Sequence, residues 1–270
     1  QRDDVRLLKK FMQSLGVYGA ELRVEGFSGY LCELLILHYG SLERLMHAAC
    51  AWHKPAIGMA KTENPSLHSK FDSPLIVADP VDPNRNVAAV VSTTSLYRFV
   101  LACRQFLASP HARFFFKEKE VRSKAKLSRL ISSRKTSPIA IAFPSPHLVE
   151  DILWPQLRKT ALALVNSLMS SEFEVFGHYY WGDGKECVIL LELEFEALPA
   201  VRKVLGPWVW MQKPTDDFIR SHNRAYNLHI EHDRITAVEG REHQAAHSLI
   251  LKFLSKPAKH GGPSNFIPFI

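Results

Sequence analysis

The N-terminal part of the chain alternates apolar and polar residues with the period of an amphipathic helix. The first apolar positions lie three or four residues apart: Val5, Leu8, Met12 and Leu15. This spacing predicts a helix that ends at Gly16, because glycine commonly terminates helices. The run "GFSGYLCELLILHYGSLERLMHAACAW" predicts a buried helix that begins near Ser28 and breaks around Gly40, and a second helix that begins at Ser41 as its N-cap.

A less regular segment comes next, and a third helix follows it. Residues 54–72 are polar and contain two prolines, which predicts a loop or an insertion. The run "PLIVADP" predicts a short strand that Pro80 ends. Beyond it we expect a helix that begins at Val87 and stops before Pro110. Four apolar residues form one face of this helix: Leu96, Val100, Cys103 and Leu107.

The C-terminal half alternates strands and helices. It is preceded by residues 117–135, where eight Lys or Arg residues stand against two glutamates, a composition typical of a basic linker or surface segment. "SPIAIAFPS" then predicts a strand, and the next run predicts a long helix with Pro155 near its start. Two β-rich runs joined by "GDG" at 182–184 predict a hairpin. A short helix, two short strands and a last helix complete the pattern.

These elements predict a multidomain protein with an α part and an α+β part. Residues 1–115 form a helical domain, residues 116–137 a basic linker or the start of the next domain, and residues 138–270 an α+β region. The order of strand, helix, hairpin, helix and strands favours a ferredoxin-like or RNA-recognition-like layer. A length of 270 residues is enough for two or three such domains.

Composition narrows the class of protein. Apolar residues make up 46% and charged residues 23% of the chain, as in globular proteins. Since no apolar run approaches the roughly 20 residues of a membrane span and no signal peptide is evident, we expect a cytoplasmic protein. The four cysteines are far apart and form no CxxC pair, which argues against a disulfide framework or a zinc site. A net charge of +7 and an isoelectric point near 9.2 favour a polyanionic partner such as nucleic acid.

No motif of known catalytic chemistry is evident. Glu192, Glu194 and Glu196 alternate so that they would share one strand face, but a solvated face explains the same pattern better. His243 and His247 have the i, i+4 spacing of a helical ligand pair without the HExxH pattern. Walker A, GxGxxG and GxSxG motifs are missing from the sequence. We therefore predict neither a catalytic residue nor a metal site in this chain.

The first two helices offer a candidate contact with phosphate. Lys9 and Lys10, together with backbone N–H groups near Ser28 and Gly29 at a helix start, could bind an anion. The two lysines are explained at least as well as the solvated side of an amphipathic helix.

The stretch "DPVDPNRN" offers a second candidate. Asn84, Arg85 and Asn86 supply donors that suit a base edge or a phosphate. A surface turn whose polar side chains cap the helix expected from Val87 accounts for the same residues. The residues themselves leave both interpretations open.

Several stretches in this order resemble the central region of archaeal-type (class I) CCA-adding enzymes, the tRNA nucleotidyltransferases. They are "VRLLKKFMQSLGVYGAEL", "GFSGYLCELLILHYGS", "DPVDPNRNVAA" and "RFVLACRQFLASP". The resemblance is specific up to about residue 116, and beyond that it rests on element order, "GPWVW" and "DDFIRSH". It implies a helical neck domain followed by α+β body and tail domains, in a protein whose catalytic head lies N-terminal to this chain.

The resemblance also implies roles for individual residues. Lys9 corresponds to the lysine of the family's "VRLLK" and Tyr18 to the tyrosine of its "GxYGxE", and both contact the triphosphate of the incoming nucleotide in the family. Arg85 corresponds to the arginine that reads the base of CTP or ATP, with Asn86 beside it. Two further residues match the family's pattern without an assigned role: Ser28 and Tyr30.

The function that the resemblance implies is CCA addition to the 3′ end of tRNA. This chain would bind the triphosphate of CTP or ATP, select the base and hold the acceptor stem and T arm of tRNA, while the head would hold Mg²⁺. A homodimer is compatible with this function. Two alternatives remain from the sequence: a non-catalytic RNA-binding module, which the missing carboxylates suit, and a relative of poly(A) polymerases or oligoadenylate synthetases, which share the neck-like layout.

Overall fold

A computed structural model describes residues 1–58, 71–82, 84–116, 124–146 and 148–255. The chain divides into two compact units, Gln1–Val121 and Arg122–Ile270. Most of the loop predicted at 54–72 and the first half of the basic segment at 117–135 lie outside the described residues. In the described part of the chain, no helix is both long enough and apolar enough to cross a membrane.

Helices dominate the first unit. They are α1 (Arg2–Leu15), α2 (Gly29–Tyr39), α3 (Leu42–Ala49) and α4 (Thr93–Ala108), and a 3-10 helix (Ala112–Phe115) follows them. Two short strands, β1 (Ala56–Ile57) and β2 (Ile76–Val77), pair in parallel. The predicted helices and the strand within "PLIVADP" are therefore confirmed.

Serine side chains set the starts of three helices. Ser28, Ser41 and Ser92 each accept a hydrogen bond from the backbone N–H three residues ahead, which satisfies a donor that a helix start leaves free. At the end of α1, Gly16 adopts φ of 70°, a left-handed conformation that favours glycine. These predicted boundaries are confirmed, whereas the predicted start of α4 at Val87 is wrong because the helix begins after Ser92.

An aromatic cluster holds α1 against α4 and the 3-10 helix. The ring centroid of Phe11 lies between 5.4 and 6.2 Å from those of four other rings: Phe99, Phe106, Phe114 and Phe115. Phe11 and Phe99 are fully buried. Since aromatic side chains contribute large apolar areas to a core, this cluster fixes the position of α1 within the unit.

The second unit contains two antiparallel sheets of three strands. Its elements are α5 (Lys124–Arg134), β3 (Ser137–Pro144), α6 (Glu150–Ser170), β4 (Val175–Gly182), β5 (Glu186–Leu193), β6 (Val201–Trp208), α7 (Gln212–Ser221), β7 (Asn227–Glu231), β8 (Arg234–Gly240) and α8 (Ala246–Ser255). The strand orders are β3-β5-β4 and β6-β8-β7. Helix α6 packs on the first sheet, α7 packs on the second, and α8 packs against α6. The predicted mixture of an α part and an α+β part is confirmed.

Both sheets have the same topology. Each consists of a strand, a helix and a hairpin, and the last strand of the hairpin lies in the centre of the sheet. This β-α-β-β order matches the first four elements of the ferredoxin-like motif. The described strands thus form two three-stranded layers, each with the same order of elements.

The basic segment contains a helix that composition did not predict. Residues Lys124–Arg134 form helix α5, and the side chains described there are exposed, as in a surface segment. Lysine, arginine, leucine and alanine have high helix propensity and are common in this stretch, which accounts for the helix.

Candidate functional site

A tight backbone crossing holds Tyr18 beside the start of α2. The N–H of Phe27 donates to the carbonyl of Val17 at 2.8 Å, and the N–H of Gly19 donates to the carbonyl of Phe27 at 2.9 Å. A Cβ atom on Gly26 would lie 2.0 Å from the Val17 carbonyl oxygen, so only glycine fits there. The crossing therefore fixes the backbone of Tyr18.

Lys9 and Tyr18 meet above Gly29, the first residue of α2. A Cβ atom built on Gly29 would lie 3.3 Å from the Tyr18 hydroxyl oxygen and 3.5 Å from Lys9 Nζ. Lys9 Nζ also donates to Glu33 Oε1 at 2.8 Å. This hydrogen bond to Glu33 raises the pKa of Lys9, so the ammonium group keeps its charge throughout the neutral range. The side chains of Lys9 and Tyr18, to which the family resemblance assigns one ligand, thus lie close together beside Gly29.

The helix start itself adds positive potential. The Ser28 hydroxyl accepts from the N–H of Leu31 at 3.0 Å, and the side chain of Gly29 is a hydrogen atom that leaves the first turn uncovered. The first N–H groups of a helix have no partner within it, and the helix dipole concentrates positive charge there. An ammonium, a phenol hydroxyl and a helix N-terminus thus face the same space.

Lys10 does not belong to this group. It is exposed and lines a different cleft of the first unit, together with Gln13, Ser14, Phe115 and Phe116. The two adjacent lysines predicted as phosphate ligands therefore have different surroundings, and only Lys9 lies at the start of α2.

The side chain of Asn86 links the loop after β2 to that strand by hydrogen bonds. Its Oδ1 accepts from the N–H groups of Val77 at 2.9 Å and Ala88 at 3.0 Å, and its Nδ2 donates to the carbonyl of Leu75 at 3.1 Å. Asn86 is only 7% exposed. Because its amide is engaged with three backbone groups, Asn86 organises the loop, and it does not cap a helix that begins at Val87.

Arg85 lies next to Asn86 and points outward. Its side chain is 65% exposed, and one guanidinium nitrogen, Nη1, contacts Asp79 Oδ2 at 3.4 Å. The backbone carbonyl of Arg85 accepts from the N–H of Asp79 at 3.1 Å, so the loop closes on itself. Several donors of the guanidinium are therefore presented at the surface.

Asp79 connects this loop to α2. Its Oδ1 accepts from the N–H of Val81 at 2.9 Å and faces the Tyr30 hydroxyl at 3.4 Å. Burial, and then the carboxylate of Asp79, raise the pKa of Tyr30, so the phenol keeps its proton. The start of α2 therefore lies near Lys9 and Tyr18 at Gly29 and contacts the Arg85 loop through Tyr30.

Sequence reasoning missed Glu33 and Asp79. Each carboxylate is the partner of one cation of the site, Glu33 of Lys9 and Asp79 of Arg85. Glu33 follows Gly29 by four residues and so lies on the same helix face, which is a pattern that could have identified it. No comparable pattern identifies Asp79, because its partners come from different elements.

The groups of this site bind charge and do not suggest a nucleophile. Cys32 lies in the same helix, and burial raises the pKa of its thiol to about 12, so it remains a neutral thiol. The phenol of Tyr30 and the ammonium group of Lys9 are likewise held in their protonated forms, because the pKa of each is raised. Chemically, the arrangement offers positive charge and hydrogen-bond donors, which an anion could bind.

The glutamates weighed as metal ligands lie in the second unit. Glu192 accepts from Thr136 Oγ1 at 2.7 Å and pairs with Arg134 at 2.7 Å. Strand β5 ends at Leu193, so the prediction that Glu192, Glu194 and Glu196 share a strand face is wrong. Within the described ranges, no three His, Cys, Asp or Glu side chains come together to hold a metal ion, so this donor set does not fit Mg²⁺.

The histidine pair also differs from its prediction. Helix α8 begins at Ala246, so His243 lies before the helix and only His247 lies within it. His243 Nε2 contacts Lys252 Nζ at 3.2 Å and Glu242 at 3.3 Å. The two histidines do not form a helical i, i+4 pair.

Two protein families match this chain. Residues 3–116 match the family described as tRNA nucleotidyltransferase, second domain, and residues 134–262 match the family described as CCA-adding enzyme, C-terminal domain. All the residues of the candidate site fall within the first match.

Curated relatives are similar over almost the whole chain. A CCA-adding enzyme of Methanothermobacter thermautotrophicus is 39% identical over 95% of this chain and 56% of its own length. One of Methanosarcina mazei is 40% identical over 93% of this chain and 55% of its own length. One of Saccharolobus shibatae is 35% identical over 96% of this chain and 59% of its own length. The chain thus spans little more than half the length of these relatives.

Proposed function

We propose, because this chain belongs to the CCA-adding enzyme family, that it supplies the nucleotide-binding and tRNA-binding part of a tRNA nucleotidyltransferase. The reaction is the addition of C, C and A to the 3′ end of tRNA from CTP and ATP. The groups that carry out the transfer step, with their Mg²⁺, lie outside the residues described here.

One observation carries this proposal: Lys9 and Tyr18 meet at the N-terminus of α2, and the Arg85 loop contacts Tyr30, the second residue of that helix, through Asp79. A triphosphate needs several donors and positive charge, and the lysine, the phenol hydroxyl and the helix start supply both. A base attached to that triphosphate needs a planar set of donors at its edge, and Arg85 offers one. Asn86 serves the site indirectly by holding the loop in place.

In the transfer itself, the 3′-oxygen of tRNA forms a bond to the α-phosphorus and pyrophosphate leaves. Lys9 and Tyr18 would bind the oxygens of the departing β- and γ-phosphates, where negative charge increases as the bond breaks. Arg85 would fix the base and hence the position of the α-phosphorus. The chain thereby orients the substrate and stabilises the leaving group.

The second unit is the proposed tRNA-binding part. The neck, body and tail arrangement of the family would assign the first unit to the neck and the two sheets of the second unit to the body and tail. These sheets would contact the acceptor stem and T arm through the phosphate backbone, so binding should weaken steeply with salt.

Two adjacent lysines provide the test. In the full-length protein, Lys9→Ala should raise KM for CTP and for ATP by roughly the same factor, about tenfold or more, because it removes a charged contact with the shared triphosphate. Lys10→Ala is the matched control and should change neither. Arg85→Ala should change the preference between CTP and ATP. Equal effects of the two lysine substitutions would contradict the proposed triphosphate site.

A further inference from the structure

Asp79 carries the only charge among the buried polar side chains of the described residues. It is 5% exposed, and the other buried polar residues are an asparagine, a serine and three threonines. A carboxylate out of water is unfavourable unless hydrogen-bond donors surround it. The loop at the end of β2 could expose this side chain to solvent, so the burial of Asp79 must have a structural reason.

Three groups, two from the loop and one from α2, share the two oxygens of Asp79. Oδ1 accepts from the backbone N–H of Val81 at 2.9 Å and faces the Tyr30 hydroxyl at 3.4 Å, while Oδ2 contacts Arg85 Nη1 at 3.4 Å. Val81 belongs to the loop itself and Tyr30 to α2. The carboxylate therefore ties one nitrogen of Arg85 to both the loop and the helix.

The two cations of the site are held in different ways. Lys9 pairs with Glu33, whose side chain is 50% exposed, so an incoming phosphate can replace this carboxylate with little rearrangement. Arg85 pairs with a carboxylate that is buried and bound to two other donors. A nucleotide that drew Arg85 away from Asp79 would leave a buried carboxylate without its cation.

We propose that Asp79 is a positioning residue that fixes Arg85 for base selection. It holds Nη1, so the remaining N–H groups of the guanidinium point outward in one pattern instead of many. A free arginine side chain has many rotamers and could satisfy the edge of either base, whereas a fixed one discriminates between donor and acceptor patterns. This inference rests on the proposed function, and it assigns selectivity to a residue that need not touch the nucleotide.

Asp79→Asn is the sharpest perturbation. The amide keeps one oxygen for Val81 and Tyr30 but presents an NH₂ group in place of Oδ2, so a donor faces a donor at Arg85. With the full-length protein and a tRNA that lacks only its terminal A, kcat and KM are measured for ATP and CTP. We expect the ratio of kcat/KM for ATP over CTP to fall about tenfold.

Companion variants show whether Asp79 acts through Arg85. The double variant Asp79→Asn/Arg85→Ala should match Arg85→Ala alone, because a positioning residue has no effect once its target is gone. Tyr30→Phe, which removes one donor and leaves the carboxylate, should lower the ratio by a smaller factor. Asp82→Asn changes an exposed aspartate of the same loop and should leave the ratio unchanged.

The remaining outcomes distinguish a failure of the positioning role from a failure of the proposed function. If Arg85→Ala lowers the ratio and a folded Asp79→Asn does not, or if the two effects multiply in the double variant, the positioning role is wrong and the proposed function stands. If Lys9→Ala and Arg85→Ala both leave nucleotide use unchanged, the proposed function fails and the inference fails with it. Thermal unfolding shows whether the Asp79→Asn variant is folded. If it is unfolded, the ratio of kcat/KM for ATP over CTP in the Tyr30→Phe variant tests the positioning role instead.

Discussion

A methyl group at Gly29 should abolish much of the anion binding while leaving the protein as stable as before. The added Cβ would lie 3.3 Å from the Tyr18 hydroxyl oxygen and 3.5 Å from Lys9 Nζ, in the space where a phosphate oxygen would sit. The first distance is short for such a contact, so the hydroxyl must move by a few tenths of an ångström. Loss of one charge-assisted hydrogen bond costs about 1.5–3 kcal/mol, which corresponds to roughly ten- to hundredfold weaker binding.

The stability of Gly29→Ala should stay within about 1 kcal/mol of the original, since alanine is favoured over glycine in helices by up to that amount. Gly40→Ala is the matched control at the other end of α2. Gly40 adopts φ of 87°, so alanine there should cost about 1–2 kcal/mol. It lies at the opposite end of the helix and should leave anion affinity unchanged.

Two measurements separate the effect on anion affinity from the effect on stability. They are isothermal titration with CTP and with inorganic tripolyphosphate, and thermal unfolding of each variant. Gly29→Ala should be stable and weak in binding, and Gly40→Ala should be less stable and unaltered in binding. Unchanged tripolyphosphate affinity in a folded Gly29→Ala protein would show that phosphate does not occupy the space above α2.

Three further substitutions test the contributions of other side chains to binding and to stability. Glu33→Gln removes the carboxylate that competes for Lys9, so tripolyphosphate should bind roughly two- to fivefold more tightly at low salt, and titration at high salt should show a smaller gain. Asn86→Ala leaves three buried backbone groups without partners and should lower the free energy of unfolding by about 2–4 kcal/mol in urea denaturation. At the hairpin turn, the backbone N–H groups of Glu186 and then Lys185 lower the pKa of Asp183 below its usual 3.8, so the carboxylate stabilises the fold above that pH and less as pH falls further. The difference in Tm between the original protein and Asp183→Ala should therefore shrink as the pH is lowered below about 4.

Elements whose boundaries depend on neighbouring residues could be predicted from the sequence. Ser28 and Ser41 cap helices through N–H groups three positions away, and the turn after Gly182 is closed by the carboxylate of Asp183. All of these contacts lie within one turn of the chain. Their residue types are therefore visible in a short window of sequence.

The start of α4 could not be predicted in the same way. Polar residues before Val87 look like a helix cap, but the amide of Asn86 is engaged by Leu75 and Val77, about ten positions earlier. Those partners are known only once β2 and the loop are in place. The helix begins at the next suitable cap, Ser92, after a turn that periodicity does not reveal.

In the candidate site, too, some residues could be predicted from the sequence and others could not. The family motifs predicted Lys9, Tyr18 and Arg85 as contacts with the nucleotide, and these stay predictions. The carboxylates of Glu33 and Asp79 were missed, because an acidic residue has no distinctive motif and its importance comes from the cation that the fold brings to it.

All the side chains proposed to contact the nucleotide lie within the first unit, Gln1–Val121. In the proposed reaction each addition would lengthen the RNA by one nucleotide, and its 3′ end would have to be drawn back before the next triphosphate could react. Because the proposed nucleotide contacts all come from one compact unit, they would keep their mutual distances during that displacement. Repeated additions would then require moving only the RNA, and the proposed nucleotide site would not be rebuilt between cycles.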